Sequence, residues 1–176
     1  MENAMIEAQQ PAAADHGRIW SRLRKDIPFF IVAAAVIALD QVTKYLVRAN
    51  MSLGQSFPES GPVRIVRVTN TGAAFGMLQG QTFFLTVTTL LGLGAILLYY
   101  LYPPMDNRIL RVALGLQLGG AIGNLSDRVR VGEVTDFIQW PHWPAFNVAD
   151  SSITVGVVAI VVFLTLSDTI WRKKET

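Results

Sequence analysis

The sequence predicts an all-α polytopic membrane protein: four transmembrane helices, with a small β-sheet and loops on the outer face. Three observations carry this. Hydrophobic residues make up 51% of the 176 positions and charged residues only 16%, whereas a soluble domain is roughly a quarter charged. The apolar residues gather into four runs, each near the ~20 residues that a helix needs to cross ~30 Å of hydrocarbon. Two of the intervening segments carry β-branched alternation instead.

The runs are 28–47, 82–102, 109–125 and 152–171. Lipid offers no water to unpaired backbone groups, so spanning helices are the economical reading. The first run has a long apolar core and no small-x-small site after it, unlike a cleavable signal peptide. The tail 1–17, rich in Ala, Gln and Glu and without an apolar period, reads as disordered; 18–176 reads as a single domain. Basic residues set the orientation. Arg18, Arg22, Arg24, Lys25, Arg108, Arg111, Arg172, Lys173 and Lys174 fall on one side, against Arg48, Arg64, Arg67, Arg128 and Arg130. Both termini are therefore expected in the cytoplasm, with loops 48–81 and 126–151 outside. In those loops PVRIVRV at 62–68 reads as a strand, and RVRVGEVTDF at 128–137 as two short strands joined at Gly132.

An ionisable group inside a span needs a partner or a task. Asp40 and Lys44, four apart on one helix face, form a natural pair near the outer end of the first run, with Lys44 free to snorkel. Asn70 opens NTGAAFG, whose small residues allow a tight turn, and its amide could serve an extended substrate backbone. The pattern N-x-x-D occurs twice, at Asn124–Asp127 and Asn147–Asp150. At the head of the fourth run Asn147 is a good N-cap, and an acid at Asp150 suits the helix dipole. At the end of the third run a carboxylate is disfavoured, so Asp127 needs a cation, and Arg128 is the nearest. Asp136 lies among apolar residues with no local cation, beside the interfacial aromatics Trp140, Trp143 and Phe146.

Several chemistries are excluded or disfavoured. Without cysteine there is no thiolate metal site and no Cys nucleophile. The two histidines, His16 and His142, form no H-E-x-x-H zinc motif, and no G-x-S-x-G elbow is present. A Ser–Lys dyad would rest on Lys44 alone. No metal or cofactor is expected, and nothing suggests nucleic acid binding. A pair of carboxylates remains: two close acids share one proton, and the pair can then activate water and protonate a leaving group. Rival readings are a small proton-coupled transporter relaying through Asp40, Lys44 and Asp150, and a non-enzymatic membrane assembly factor.

From 28 to 170 the chain resembles the bacterial lipoprotein signal peptidases (signal peptidase II), membrane aspartyl proteases. The motifs are Asp40-Gln-x-Thr-Lys44, Asn70-Thr-Gly-Ala-Ala-Phe, Gly119-Gly-x-x-Gly-Asn124-x-x-Asp127-Arg128, Val134-x-Asp136-Phe137 and Phe146-Asn147-x-Ala149-Asp150-Ser-x-Ile. Ser126 stands where family members often carry Tyr. The resemblance implies that Asp136 and Asp150 are catalytic. It also implies that Asn70, Asn124, Arg128 and Asn147 line or support the site. Asp40, Lys44 and Asp127 are then structural polar residues. The implied substrate is a diacylglyceryl-modified prolipoprotein, cut just before its lipidated Cys at the outer face of the inner membrane. Membrane lipids are the implied surroundings, and inhibition by globomycin-type cyclic peptides is implied too.

Overall fold

In a computed structural model the backbone is described over 11–72, 78–102 and 107–172, and side chains over 24–72, 78–102 and 107–166. Of the segments read above, 1–10 of the tail, 73–76 of the turn after Asn70, the Pro-Pro turn at 103–104 and the basic pair at 173–174 lie outside the described residues. The elements in order are α1 (Pro11–Asn50), β1 (Ser56–Phe57), β2 (Arg64–Asn70), α2 (Thr82–Leu101), α3 (Arg108–Val131), β3 (Val134–Gln139) and α4 (Val148–Arg172). Arg24–Asn50, Thr82–Leu101, Arg108–Val131 and Val148–Leu166 are each long and apolar enough to cross a membrane. The four long apolar helices and the small sheet are those that the sequence predicts.

The bundle is organised around α3. Helices in lipid gain little from burying apolar surface, so close association depends on small residues that let backbones meet. A Cβ on Gly115 would lie 2.7 Å from the Phe29 carbonyl oxygen of α1, and one on Gly119 2.8 Å from that of Ala33. On the other side, a Cβ on Gly120 would lie 2.5 Å from the Ala149 carbonyl oxygen of α4. Thus α3 is clamped between α1 and α4. By contrast α2 is peripheral, with Leu85 alone buried among its described side chains and Phe83, Leu91 and Leu98 turned outward. Near the other end of the bundle, Phe29, Ala33, Leu110, Leu114 and Leu118 form the apolar core, and Tyr100 of α2 stacks on Phe29.

Two expectations need correction. Residues 128–131, expected as the first of two short strands, complete the last turn of α3. A four-residue alternation fits either period, and the stop is Gly132, left-handed at φ 82°, whose N–H donates to the Arg128 carbonyl. Residues 11–17, expected to lie in a disordered tail, belong to α1. Proline suits a first helical turn, and Ala12, Ala13 and Ala14 are strong helix formers.

The sheet is antiparallel in the order β1-β2-β3. Val68 faces Asp136 and Asn70 faces Val134, with a register shift between Ile65 and Val68. Arg67 fastens the sheet to α1, donating to the carbonyls of Arg48 (3.1 Å) and Met51 (2.7 Å) at the helix end. An Ile138–Phe146 bridge folds the chain back towards α4.

The packing of α3 makes a prediction. Gly120→Ala drives a methyl into the Ala149 backbone and should cost roughly 1–3 kcal/mol, read as a lower unfolding midpoint in detergent. Gly94→Ala, with nothing within 4 Å of the new methyl, is the control and should leave the midpoint unchanged or higher. Equal midpoints for the two variants would contradict the close approach of α3 and α4.

Candidate active site

Asp136 is delivered by β3, whose first four residues are buried. Its antiparallel partner β2 brings Asn70 to the diagonal position on the same face. Asn70 Nδ2 donates to Asp136 Oδ2 at 2.9 Å, and the Asn70 Oδ1 accepts from Gly72 N, fixing which way the amide faces. Asp150 is delivered by the first turn of α4. The Asp150 N–H donates to Asn147 Oδ1 (2.9 Å), and the Asn147 N–H donates to Asp150 Oδ2 (3.2 Å). This is the reciprocal cap expected of an N-cap residue with an acid three positions on.

The cap occupies only the oxygen of the Asn147 amide. Its Nδ2 donates to Asp136 Oδ1 at 2.7 Å, so one asparagine ties both acids together. Asn124 of α3 completes the ring: its Nδ2 donates to Asp150 Oδ1 (2.8 Å), and its Oδ1 accepts from Lys44 Nζ (2.9 Å) and Asn147 Nδ2 (3.2 Å). Five elements, α1, α3, β2, β3 and α4, therefore converge on two carboxylates.

Beneath them lies a buried charged cluster. Lys44 Nζ reaches Asp40 Oδ2 at 2.9 Å and Asp127 Oδ2 at 3.2 Å, and both Asp40 and Lys44 are fully buried. The second oxygen of each acid is used as well. Asp40 Oδ1 accepts the Ala149 N–H (3.0 Å) at the start of α4. Asp127 Oδ1 accepts from Arg48 (3.2 Å), while its Oδ2 also accepts the Thr135 N–H (3.2 Å) of β3. Asp40 thus fixes the element that carries Asp150, and Asp127 the element that carries Asp136.

Two sequence expectations change here. Lys44 does not snorkel: its ammonium is held inward by two acids and an amide. Asp127 is not paired with Arg128 but with Lys44 and Arg48, because α3 runs on to Val131 and turns Asp127 towards α1. Arg128 occupies the next position, in the last turn of α3. The residues that sequence reading passed over are Arg48, Gln41 and Thr135. Arg48 had a signal, since positions 40, 44 and 48 share one helix face. Gln41 Nε2 donates to Asp40 Oδ2 and to the Gly123 carbonyl, both at 3.1 Å. Thr135 Oγ1 accepts from Arg48 at 3.0 Å.

The electrostatics of Asp136 follow from its place. Burial pushes its carboxyl up to about 6, and the Asp150 charge adds to this. The amides of Asn70 and Asn147 and the Lys44 charge pull the other way. Among the described residues, no group of three or more His, Cys, Asp or Glu is placed to hold a metal ion. The arrangement is one of two hydrogen-bonded acids at the edge of an apolar bundle, able to hold and move a proton.

Comparison with known proteins bears on what such a site is. The profile of the family described as signal peptidase (SPase) II matches residues 32–166. A lipoprotein signal peptidase of Dehalococcoides mccartyi is 42% identical over 149 residues, covering 82% of this chain and 93% of the relative. That of Shouchella clausii is 48% identical over 130 residues, covering 73% of this chain and 86% of the relative. A solved bacterial membrane enzyme superposes with a TM-score of 0.76 at 38% identity, over 80% of this chain and 88% of the other. With the motifs in order and the bundle matched, this chain belongs to the signal peptidase II family of membrane proteases.

Proposed function

We propose that the protein is an aspartic endopeptidase of the bacterial cytoplasmic membrane, with Asp136 and Asp150 as its catalytic pair. It removes the signal peptide of diacylglyceryl-modified prolipoproteins just before the lipidated Cys. The observation that carries the assignment is Asn147, which joins the two acids through a single side chain and cap. Asn70, Asn124 and Asn147 orient the carboxylates, and Arg128 supplies positive charge beside them. The transporter reading finds less support, since the Asp40 and Lys44 it needs are locked together, with Lys44 also bound to Asn124 and Asp127 of α3 and Asp40 to the Ala149 N–H of α4.

The chemistry needs one proton on the pair. The ionised acid takes a proton from water as the water oxygen attacks the amide carbonyl. The protonated acid then gives its proton to the nitrogen as the C–N bond breaks, leaving a carboxylic acid and an amine. The pair titrates as a unit, so the proton belongs to both. A buried Asp136 held near 6 keeps that proton available at mildly acidic to neutral pH. The substrate's own lipid holds its scissile bond at the boundary where exposed Trp140 and Trp143 lie. The basic-residue bias supports termini in the cytoplasm and a site near the outer face, and the family resemblance supports inhibition by globomycin-type cyclic peptides.

Purified protein incubated with a lipid-modified prolipoprotein should release the signal peptide. Asp136→Asn and Asp150→Asn keep shape and most hydrogen bonds but cannot share a proton. Each single variant and the double variant should lose several orders of magnitude in turnover while still binding substrate. A folded single variant with near-normal release would contradict the pair.

Stability provides a second check. The native protein keeps a proton on Asp136 that the unfolded chain has released as pH rises from 3.8 to about 6. Wild-type stability therefore falls across that window relative to Asp136→Asn, which has nothing to ionise. The Asp136→Asn midpoint minus the wild-type midpoint should rise from pH 4 to pH 6 and then level off. A difference independent of pH would contradict the raised carboxyl.

A further inference from the structure

At the end of the bundle away from the acids, α1 and α3 enclose a cavity of ≈440 Å³ lined by Arg24, Lys25, Pro28, Arg108 and Arg111. Arg24 and Lys44 are twenty positions apart on one helix, about 30 Å at 1.5 Å per residue, which is one hydrocarbon thickness. The cavity therefore opens at the opposite membrane surface from Asp136 and Asp150, and the peptidase chemistry makes no use of it.

The cavity is built, not merely basic. Arg111 is 5% exposed. Its guanidinium pairs with Asp26, and Tyr100 of α2 stacks on Phe29 of α1, with ring centroids 4.7 Å apart. A guanidinium has five N–H donors in a rigid fork, so Asp26 orients Arg111 without exhausting it. Arg24 and Arg108 are exposed at the rim and make no ion pair with another described residue. The N-terminus of α3 adds a third source of positive potential at Arg108. Beside this cationic cavity, Ile27 and Ile31 of α1 and Ile109 of α3 are exposed and apolar.

We propose that the cavity binds the phosphodiester headgroup of an anionic membrane lipid. Arg111 meets the phosphate from within, Arg24 and Arg108 meet it from the rim, and the acyl chains run down Ile27, Ile31 and Ile109. Cationic pockets between spanning helices are suited to such headgroups. A free phosphate ion satisfies the same cations but leaves the apolar flank uncovered, which is why the lipid is favoured.

The test is native mass spectrometry and thermal unfolding of the full chain in detergent. The probes are phosphatidylglycerol, zwitterionic phosphatidylcholine and inorganic phosphate, and peptide release plays no part in the readout. Phosphatidylglycerol should remain bound and raise the unfolding midpoint, and phosphatidylcholine should do neither. The Arg24→Gln/Arg108→Gln variant, altered only at exposed positions, should fold and bind phosphatidylglycerol about tenfold more weakly. Arg111→Gln should weaken binding further if it folds. Unchanged phosphatidylglycerol affinity in the rim variant would overturn the proposal. So would inorganic phosphate matching the lipid at equal concentration, which would assign the cavity to a free anion.

Discussion

The buried ammonium of Lys44 is the contact on which the rest of the site depends. An unpaired charge in a bundle of this kind would be prohibitively unfavourable. Lys44 escapes this through Asp40, Asp127 and Asn124, drawn from α1 and α3. Each acid then has an oxygen that accepts a backbone N–H from an element carrying one of the two proposed catalytic carboxylates: Ala149 for α4 and Thr135 for β3. Removing one member of a buried cluster of this kind costs about 3–5 kcal/mol, because the others are stranded. Cooperativity of that size keeps two elements from separate parts of the chain in fixed relation, which a proposed two-acid mechanism requires.

The cluster exists only because α3 comes close. A Cβ on Gly123 would lie 2.6 Å from Asp40 Oδ2, so any larger residue there would push Asp40 away from Lys44. The glycines of α3 therefore do two things at once. They let helix backbones meet where lipid gives little drive for association, and they leave room for carboxylates between the helices. Burial likewise raises the Asp136 carboxyl.

Much of this was legible in the sequence, and the rest was not, for physical reasons. Spans are visible because hydrocarbon demands long apolar runs, and α1 to α4 lie where those runs do. The Asn147–Asp150 cap is visible because it is local: donor and acceptor sit three residues apart. Asp127 was given the wrong partner because its true partners are about eighty positions away on α1, and only the three-dimensional approach of α3 chooses Lys44 and Arg48 over the adjacent Arg128. The strand expected at 128–131 failed for a related reason. Asn124, Asp127 and Arg128 share a helical spacing that outlasts the apolar run, while a run of alternating Arg and Val taken alone fits a strand equally well. The link through Asn147 to Asp136 could not be read from spacing, since it depends on β3 pairing with β2 in a register that includes a shift.

Amide hydrogen exchange at Ala149 and Thr135, compared between wild type and Lys44→Met in the same detergent, tests this account most directly. Methionine fills most of the lysine's volume without its charge. The account predicts that both amides lose protection together, because the acids that hold them lose their shared cation. Wild-type protection at both positions in a folded Lys44→Met protein would contradict it.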